Sequence, residues 1–209
     1  MPVASRPTSA PPYDERLREE ARHADRALRE RLKRGPLLRG VARVDVAVYR
    51  AIRKQARPTG FHDAVLAYSR SGEHAGLWVV LGLAGSVLDT AERRPRWRRA
   101  LGSVVVAYCL NTVLKSVFRR RRPSQEDLPH LTGTPTGLSF PSAHASSSFA
   151  AARAYSGLLP VSPLYSAATT MALSRVYLGV HYPTDIAVGA TIGTLVGCAG
   201  FTLAPEAVR

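Results

Sequence analysis

Three stretches of this chain, residues 100–114, 154–174 and 186–205, contain no Asp, Glu, Lys or Arg. Runs of that length without charge do not build a water-facing surface, so they belong inside a protein core or in lipid. They also divide the chain unevenly, because residues 1–74 hold 16 of the 29 Lys+Arg and 9 of the 15 Asp+Glu. The averages over 209 residues, 45% hydrophobic with a net charge of +14, therefore describe neither part. Apolar residues are too plentiful for a wholly disordered chain. The two cysteines, Cys109 and Cys198, sit in apolar runs without the neighbours of a metal or redox motif, which excludes a disulfide scaffold.

The N-terminal part reads as two regions. Residues 1–13, with Pro2, Pro7, Pro11 and Pro12, are expected to form a disordered tail, and no apolar run of a cleavable signal follows. Residues 14–74 are expected to form charged, amphipathic helices. In 14–34, Leu17, Ala21, Ala24, Leu28 and Leu32 make a narrow stripe, which suits a solvated helix beside a membrane or a short contact in a homo-oligomer. In 39–57, Arg39, Arg43, Arg50, Arg53, Lys54 and Arg57 share one face, opposite Val41, Val44, Val48 and Ile52. That division suits a helix lying in the interface of a membrane rich in anionic lipids, although a surface helix of a soluble bundle has the same pattern.

Residues 75–209 contain five apolar stretches, at roughly 75–90, 100–118, 142–157, 160–176 and 184–204. Several are short for a perpendicular span, and each alone fits a buried helix of a soluble protein. The last carries Gly189, Gly193, Gly197 and Gly200, a small-residue ridge that permits close helix contact in lipid. Pro160 and Pro163 place a turn between the third and fourth stretches. The expected fold is all-α: a polytopic membrane helical bundle of about five spans with N-terminal amphipathic helices. A soluble helical bundle is the alternative.

Three polar clusters lie at the ends of these stretches. They are Lys115 to Pro123, Phe140 to His144, and Ser174 to Asp185. Alternating spans bring all three to one membrane face. Arg122 and Arg175 can hold phosphoryl oxygens in fork geometry, with Lys115 as a point charge. Pro141, Ser142 and Ala143 resemble a helix start, whose N–H groups and dipole favour an anion. A neutral imidazole can attack phosphorus and a second histidine can protonate the leaving oxygen. Asp185, four residues beyond His181, is spaced to orient its ring. No carboxylate cluster for Mg²⁺ and no Cys/His set for zinc is present in the sequence, so neither metal nor cofactor is expected.

The ordered patterns K-x6-RP, PS-x-H and SR-x5-H-x3-D resemble the three signature motifs of the type 2 phosphatidic acid phosphatase (PAP2) and vanadium haloperoxidase superfamily. They cover residues 115–185, about a third of the chain. The resemblance implies a PAP2-type transmembrane catalytic domain over 75–209. It implies His181 as the nucleophile that becomes a phosphohistidine, supported by Asp185, and His144 as the acid for the departing alcohol. Lys115, Arg122 and Arg175 would hold the phosphoryl group, assisted by Ser142 and the Ala143 amide. Ala143 replaces a glycine usual in the second motif, which only a positive φ would make incompatible.

The short, arginine-rich chain is most similar to superfamily members that remove a sugar 5-phosphate from a lipid-linked sugar during cell-wall arabinan synthesis. Prenyl diphosphate, phosphatidic acid and phosphatidylglycerol phosphate are the neighbouring substrates. A vanadate-dependent haloperoxidase is the alternative of another class. Nucleic acid is not an expected partner, since charge alone does not account for three ordered motifs. Five spans put 22 cations on the side of the motifs and 7 on the other, which places the active site in the cytoplasm. His23, His62, His74 and His130 read as structural. Arg119, Arg120 and Arg121 read either as interface anchors or as ligands of a second anionic group.

Overall fold

A computed structural model describes residues 35–56, 60–123 and 128–202. The expected tail, the Leu17–Leu32 stripe with His23, and Arg57 lie outside these residues. Seven α-helices are described: α1 (Pro36–Gln55), α2 (Gly60–Ser71), α3 (Gly76–Leu88), α4 (Arg94–Phe118), α5 (Ala143–Tyr155), α6 (Val161–Tyr177) and α7 (Pro183–Thr202). A single 3-10 turn, Glu73–Ala75, joins α2 to α3. No β-strand occurs among the described residues, so the all-α expectation holds.

Local chemistry sets the helix limits. Pro95 stands in the first turn of α4, where its missing N–H is harmless, so the helix starts at Arg94 and carries Arg96, Arg98 and Arg99 ahead of the apolar stretch expected at 100–118. Arg119, at φ 51, ends α4 in the left-handed region. Ser142 caps α5 by accepting from the Ala145 N–H. Pro160 precedes α6 and Pro183 opens α7.

The chain divides into two compact units, Met1–Val44 and Asp45–Arg209. In the first, the described residues are 35–44, where Leu37, Leu38, Val41 and Val44 are exposed. Within the second, α1 buries Asp45, Tyr49 and Arg53 at four-residue spacing while Val48 faces outward. This corrects the placement of Arg53 among head-group cations. It is buried and donates to the carbonyls of Pro129 (2.5 Å) and Tyr177 (3.4 Å), because the nearby turn offers acceptors that a guanidinium can satisfy. Gly179, at φ +83, makes that turn, and a Cβ there would lie 2.8 Å from Arg53 Nε.

In the second unit, α5 is the central helix. Ala145, Ser146, Ser147, Ser148, Ala150, Ala151 and Ala152 are all buried, and such small side chains let neighbouring backbones approach. The glycine ridge of α7 lies against them. A Cβ at Gly189 would come within 2.7 Å of the Ser142 carbonyl oxygen, and one at Gly193 would strike the Ser146 carbonyl. Buried polar groups are paired across helices: Trp78 Nε1 donates to Ser148 Oγ (2.7 Å), Tyr155 Oη to the Trp78 carbonyl (2.9 Å) and Asn111 Nδ2 to Ser146 Oγ (2.9 Å).

The outside is the reverse. Val80, Leu83 and Val87 of α3 and Val105, Val106, Val113 and Val117 of α4 are exposed. Small and polar inside with aliphatic outside favours lipid over water as the surrounding medium. Among the described residues one helix, Arg94–Phe118, is long and apolar enough to cross a membrane. At 13 residues α3 is only about 20 Å long.

Candidate active site

Chain reversal at each connection brings four helix ends together: the C-terminal ends of α4 and α6 and the N-terminal ends of α5 and α7. Lys115 lies in the last turn of α4 and Arg175 in the last turn of α6. Ala143 and His144 open α5, and His181 precedes α7 by two residues. A cavity of about 150 Å³ has Lys115, Arg122, Ala143, His144, Arg175 and His181 among its lining residues. The three expected cations and both expected histidines thus meet around one space.

The strand-like return after α4 fixes the first cations. The Arg122 N–H donates to the Gly137 carbonyl (3.2 Å) and the Ser139 N–H to the Arg120 carbonyl (2.8 Å). The Arg122 guanidinium then donates to the carbonyls of Thr136 (Nε, 2.8 Å) and Val180 (Nη1, 2.8 Å), and Nη1 lies 3.3 Å from His181 Nε2. Lys115 Nζ donates to the Leu138 carbonyl (3.2 Å). Burial pushes Arg122 down to about 10, which leaves it cationic at neutral pH.

His181 is almost fully buried, and its other nitrogen, Nδ1, lies 3.4 Å from Asp185 Oδ2. Burial first, then the charges of Arg122, Lys115 and Arg175, hold its imidazole well below the usual histidine range. A neutral ring with Nε2 toward the cations and Nδ1 toward a carboxylate has the geometry of an attacking nitrogen with an oriented partner.

Asp185 is itself held. Its Oδ2 accepts from the Tyr182 N–H (2.9 Å), and Oδ1 accepts from Arg120 Nη1 (2.9 Å). Arg120 reaches further, donating through Nη2 to Asp45 Oδ2 (2.7 Å), and its guanidinium lies 4.2 Å from the centre of the Tyr182 ring. Asp45 also accepts from the Thr184 N–H (2.9 Å). This settles one of the arginines left open by the sequence: Arg120 is an internal clasp rather than a head-group anchor.

His144 and Arg175 share a support on α2. His144 Nε2 lies 3.1 Å from the Ser69 carbonyl oxygen, and Arg175 Nη1 donates to Ser69 Oγ (2.5 Å). Ser69 is fully buried. Two expected site residues stand behind the cavity wall. Ser142 is buried as the α5 cap and donates its N–H to the Asp185 carbonyl (3.0 Å), and Asp185 is buried beside His181. Among the described residues no three His, Cys, Asp or Glu side chains gather in a metal-binding group.

Sequence reasoning missed Asp45, Ser69 and Thr184. Asp45 had a signal, being the single acidic residue between 35 and 62. Ser69 had none, since nothing local marks a serine whose partners lie 75 and 106 residues away.

A helical bundle clothed in aliphatic side chains, with two histidines and three cations around a cavity at one end, is the architecture of a membrane phosphatase. The chain belongs to the PAP2 superfamily, whose family model matches residues 96–209, more than half of its length. It is 43% identical over 151 residues to a decaprenylphosphoryl-5-phosphoribose phosphatase of Mycolicibacterium smegmatis, covering 72% of this chain and 82% of that one. The protein of the same name from Mycobacterium tuberculosis is 40% identical over 163 residues, covering 76% and 88%. In fold the chain is similar to Aquifex aeolicus LpxE (TM-score 0.66, 24% identity, 76% of this chain and 95% of that one). It is equally similar to a transmembrane PAP2-type phosphatidylglycerolphosphate phosphatase from Bacillus subtilis (TM-score 0.66, 23% identity, 85% and 92%).

Proposed function

We propose that the protein hydrolyses decaprenylphosphoryl-5-phosphoribose at its 5-phosphate. The observation that carries this reading is the 40–43% identity to phosphatases of that name along most of both chains. The site chemistry agrees with a phosphate monoester. Lys115, Arg122 and Arg175 hold the phosphoryl oxygens, and the N-terminal end of α5 at Ala143 adds its dipole. His181 Nε2 attacks phosphorus as the P–O bond to the sugar breaks, and His144 gives its proton to the departing oxygen. Asp185 steadies the Nδ1–H of His181 as the ring gains positive charge. Water then attacks the phosphohistidine, His144 takes its proton, and the P–N bond breaks to release phosphate and the free imidazole. No step calls for a metal.

The test is phosphate release in detergent, without added metal and with EDTA, from lipid-linked ribose phosphate, prenyl diphosphate, phosphatidic acid and phosphatidylglycerol phosphate. Preference for the sugar-bearing lipid is expected, and a preference for any of the others contradicts the reading.

The bundle is further read as five spans, α3 to α7, with the catalytic end in the cytoplasm and the basic N-terminal region on anionic lipid head groups. The cation asymmetry of 22 against 7 supports that orientation. Thiol labelling of intact cells at cysteines introduced at Thr134 and Thr90, in a Cys109→Ala/Cys198→Ala background, tests it. Labelling at Thr90 alone is expected, and labelling at Thr134 alone would reverse the orientation. The question of a homo-oligomer is open to a mass measurement in detergent.

A further inference from the structure

The cavity extends beyond the phosphate-holding cations. Its other lining residues are Gly72, Glu73, His74 and Ala75 of the 3-10 turn, Tyr108 and Thr112 of α4, and Pro135 and Thr136. Tyr108, Thr112 and Lys115 follow at spacings of four and three on α4, so one helix face leads from the phosphate outward. His74 Nδ1 lies 2.8 Å from Tyr108 Oη, and the two rings meet edge to face at 6.1 Å, which closes the wall.

The turn that carries Glu73 and His74 is costly to build. His74 (φ 52) and Ala75 (φ 61) both adopt left-handed backbone without being glycine. The turn is also tied to the catalytic groups. Ser69, just before it, holds His144 and Arg175, and a Cβ on Gly72 would lie 2.5 Å from Met171 Sδ and 3.0 Å from His144 Cδ2. The turn and Ser69 lie before residue 96, outside the region matched by the family model, whereas Tyr108 and Thr112 lie inside it.

The chemistry of the wall discriminates between leaving groups. Beyond the cradle its lining residues, Pro135 and Thr136 included, contain no Lys or Arg. A second phosphate placed there, as in a diphosphate, would meet the Glu73 carboxylate with no cation of its own. Neutral hydroxyls would find a carboxylate acceptor at Glu73, the Thr112 hydroxyl oxygen, whose own proton goes to the Tyr108 carbonyl (3.0 Å), and the remaining capacity of the Tyr108 hydroxyl that is paired with His74. We propose that the Gly72–Ala75 turn and the Tyr108–Thr112 face of α4 form a subsite for a polyhydroxylated ring in the leaving group, the sugar carried next to the scissile phosphate. The proposal rests on the substrate reading above and names the residues that would enforce it.

The test compares kcat/KM for two short-chain probes in detergent: farnesylphosphoryl-5-phosphoribose, which has the sugar, and farnesyl phosphate, which lacks it. Wild type, Tyr108→Phe, Thr112→Ala and Glu73→Gln are measured on both. Wild type is expected to prefer the sugar probe, and the variants are expected to lower that preference tenfold or more, mainly through KM. If wild type prefers the sugar and all three variants keep its ratio, or lose both probes equally, the subsite is wrong while the substrate reading stands. If wild type shows no preference, the substrate reading fails and the subsite falls with it.

Discussion

Arg120 holds Asp185: its Nη1 lies 2.9 Å from Oδ1, while the other carboxylate oxygen faces His181 Nδ1 at 3.4 Å. The same guanidinium binds the buried Asp45 through Nη2 at 2.7 Å. An arginine inside the first motif thereby links α1 to the carboxylate of the third, and the orientation of His181 depends on a residue that never reaches the cavity.

Arg120→Ala leaves two buried carboxylates without their cation. About a third of the Arg120 side chain is exposed, so the loss in stability is expected near 2 kcal/mol rather than the 3–5 kcal/mol of a fully buried pair. Thermal unfolding in detergent checks this. Phosphate release should fall by about 10- to 100-fold, mostly in kcat, and Asp45→Asn should reproduce part of that loss. A double-mutant cycle of the two should be clearly non-additive.

Ser69→Ala removes the hydroxyl that receives Arg175 but leaves the carbonyl that receives His144. A charged hydrogen bond is worth about 1.5–3 kcal/mol, so kcat/KM should fall by roughly 10- to 100-fold. Steady-state kinetics on the preferred lipid would show it, and an unchanged value would mean that Arg175 needs no support from α2.

Much of this arrangement was legible in the sequence because it is local. Each motif carries its own helix end: Pro141 and Ser142 announce α5, Pro183 announces α7, and the charges cease where the apolar runs begin. Uncharged runs marked α4, α6 and α7, and the glycine ridge at 189, 193 and 197 marked a face for close helix contact, which the fold fills with α5. The supports were not legible. Asp45 and Ser69 act on groups 75 or more residues away, and only the folded bundle shows which polar residue on an amphipathic helix turns inward. Arg53 was assigned to the basic face for the same reason: a helical wheel gives direction around an axis but not what stands there.

Acid should act on His181 in a defined direction. Its folded-state value is depressed, so the unfolded chain takes up the proton first as pH falls below about 6.5. The contribution to stability is fully present above that value and declines below it. The free imidazole, and with it the acid limb of kcat/KM, should persist below pH 6.5. Arg122→Gln removes a cation from beside the ring and should move the His181 titration upward, as read by NMR of labelled histidine in detergent.

Packing of α5 on α7 should tolerate no bulk at the ridge. Gly193→Ala sets a methyl group against the Ser146 carbonyl and should cost about 1–3 kcal/mol. Gly102→Ala on α4 meets nothing within 4 Å and should instead be neutral or stabilising by up to about 1 kcal/mol. Thermal unfolding of both variants in one detergent separates them.

The central claim is covalent transfer of the phosphoryl group to His181. Rapid acid-free quenching of the enzyme with substrate labelled at the scissile phosphate, followed by peptide mapping, measures it directly. Label on His181 is expected to survive alkali and to be lost in acid, with greater accumulation in His144→Ala on a substrate with a good leaving group, and none in His181→Ala. Full phosphate release by His181→Ala, or label on any other residue, would contradict it.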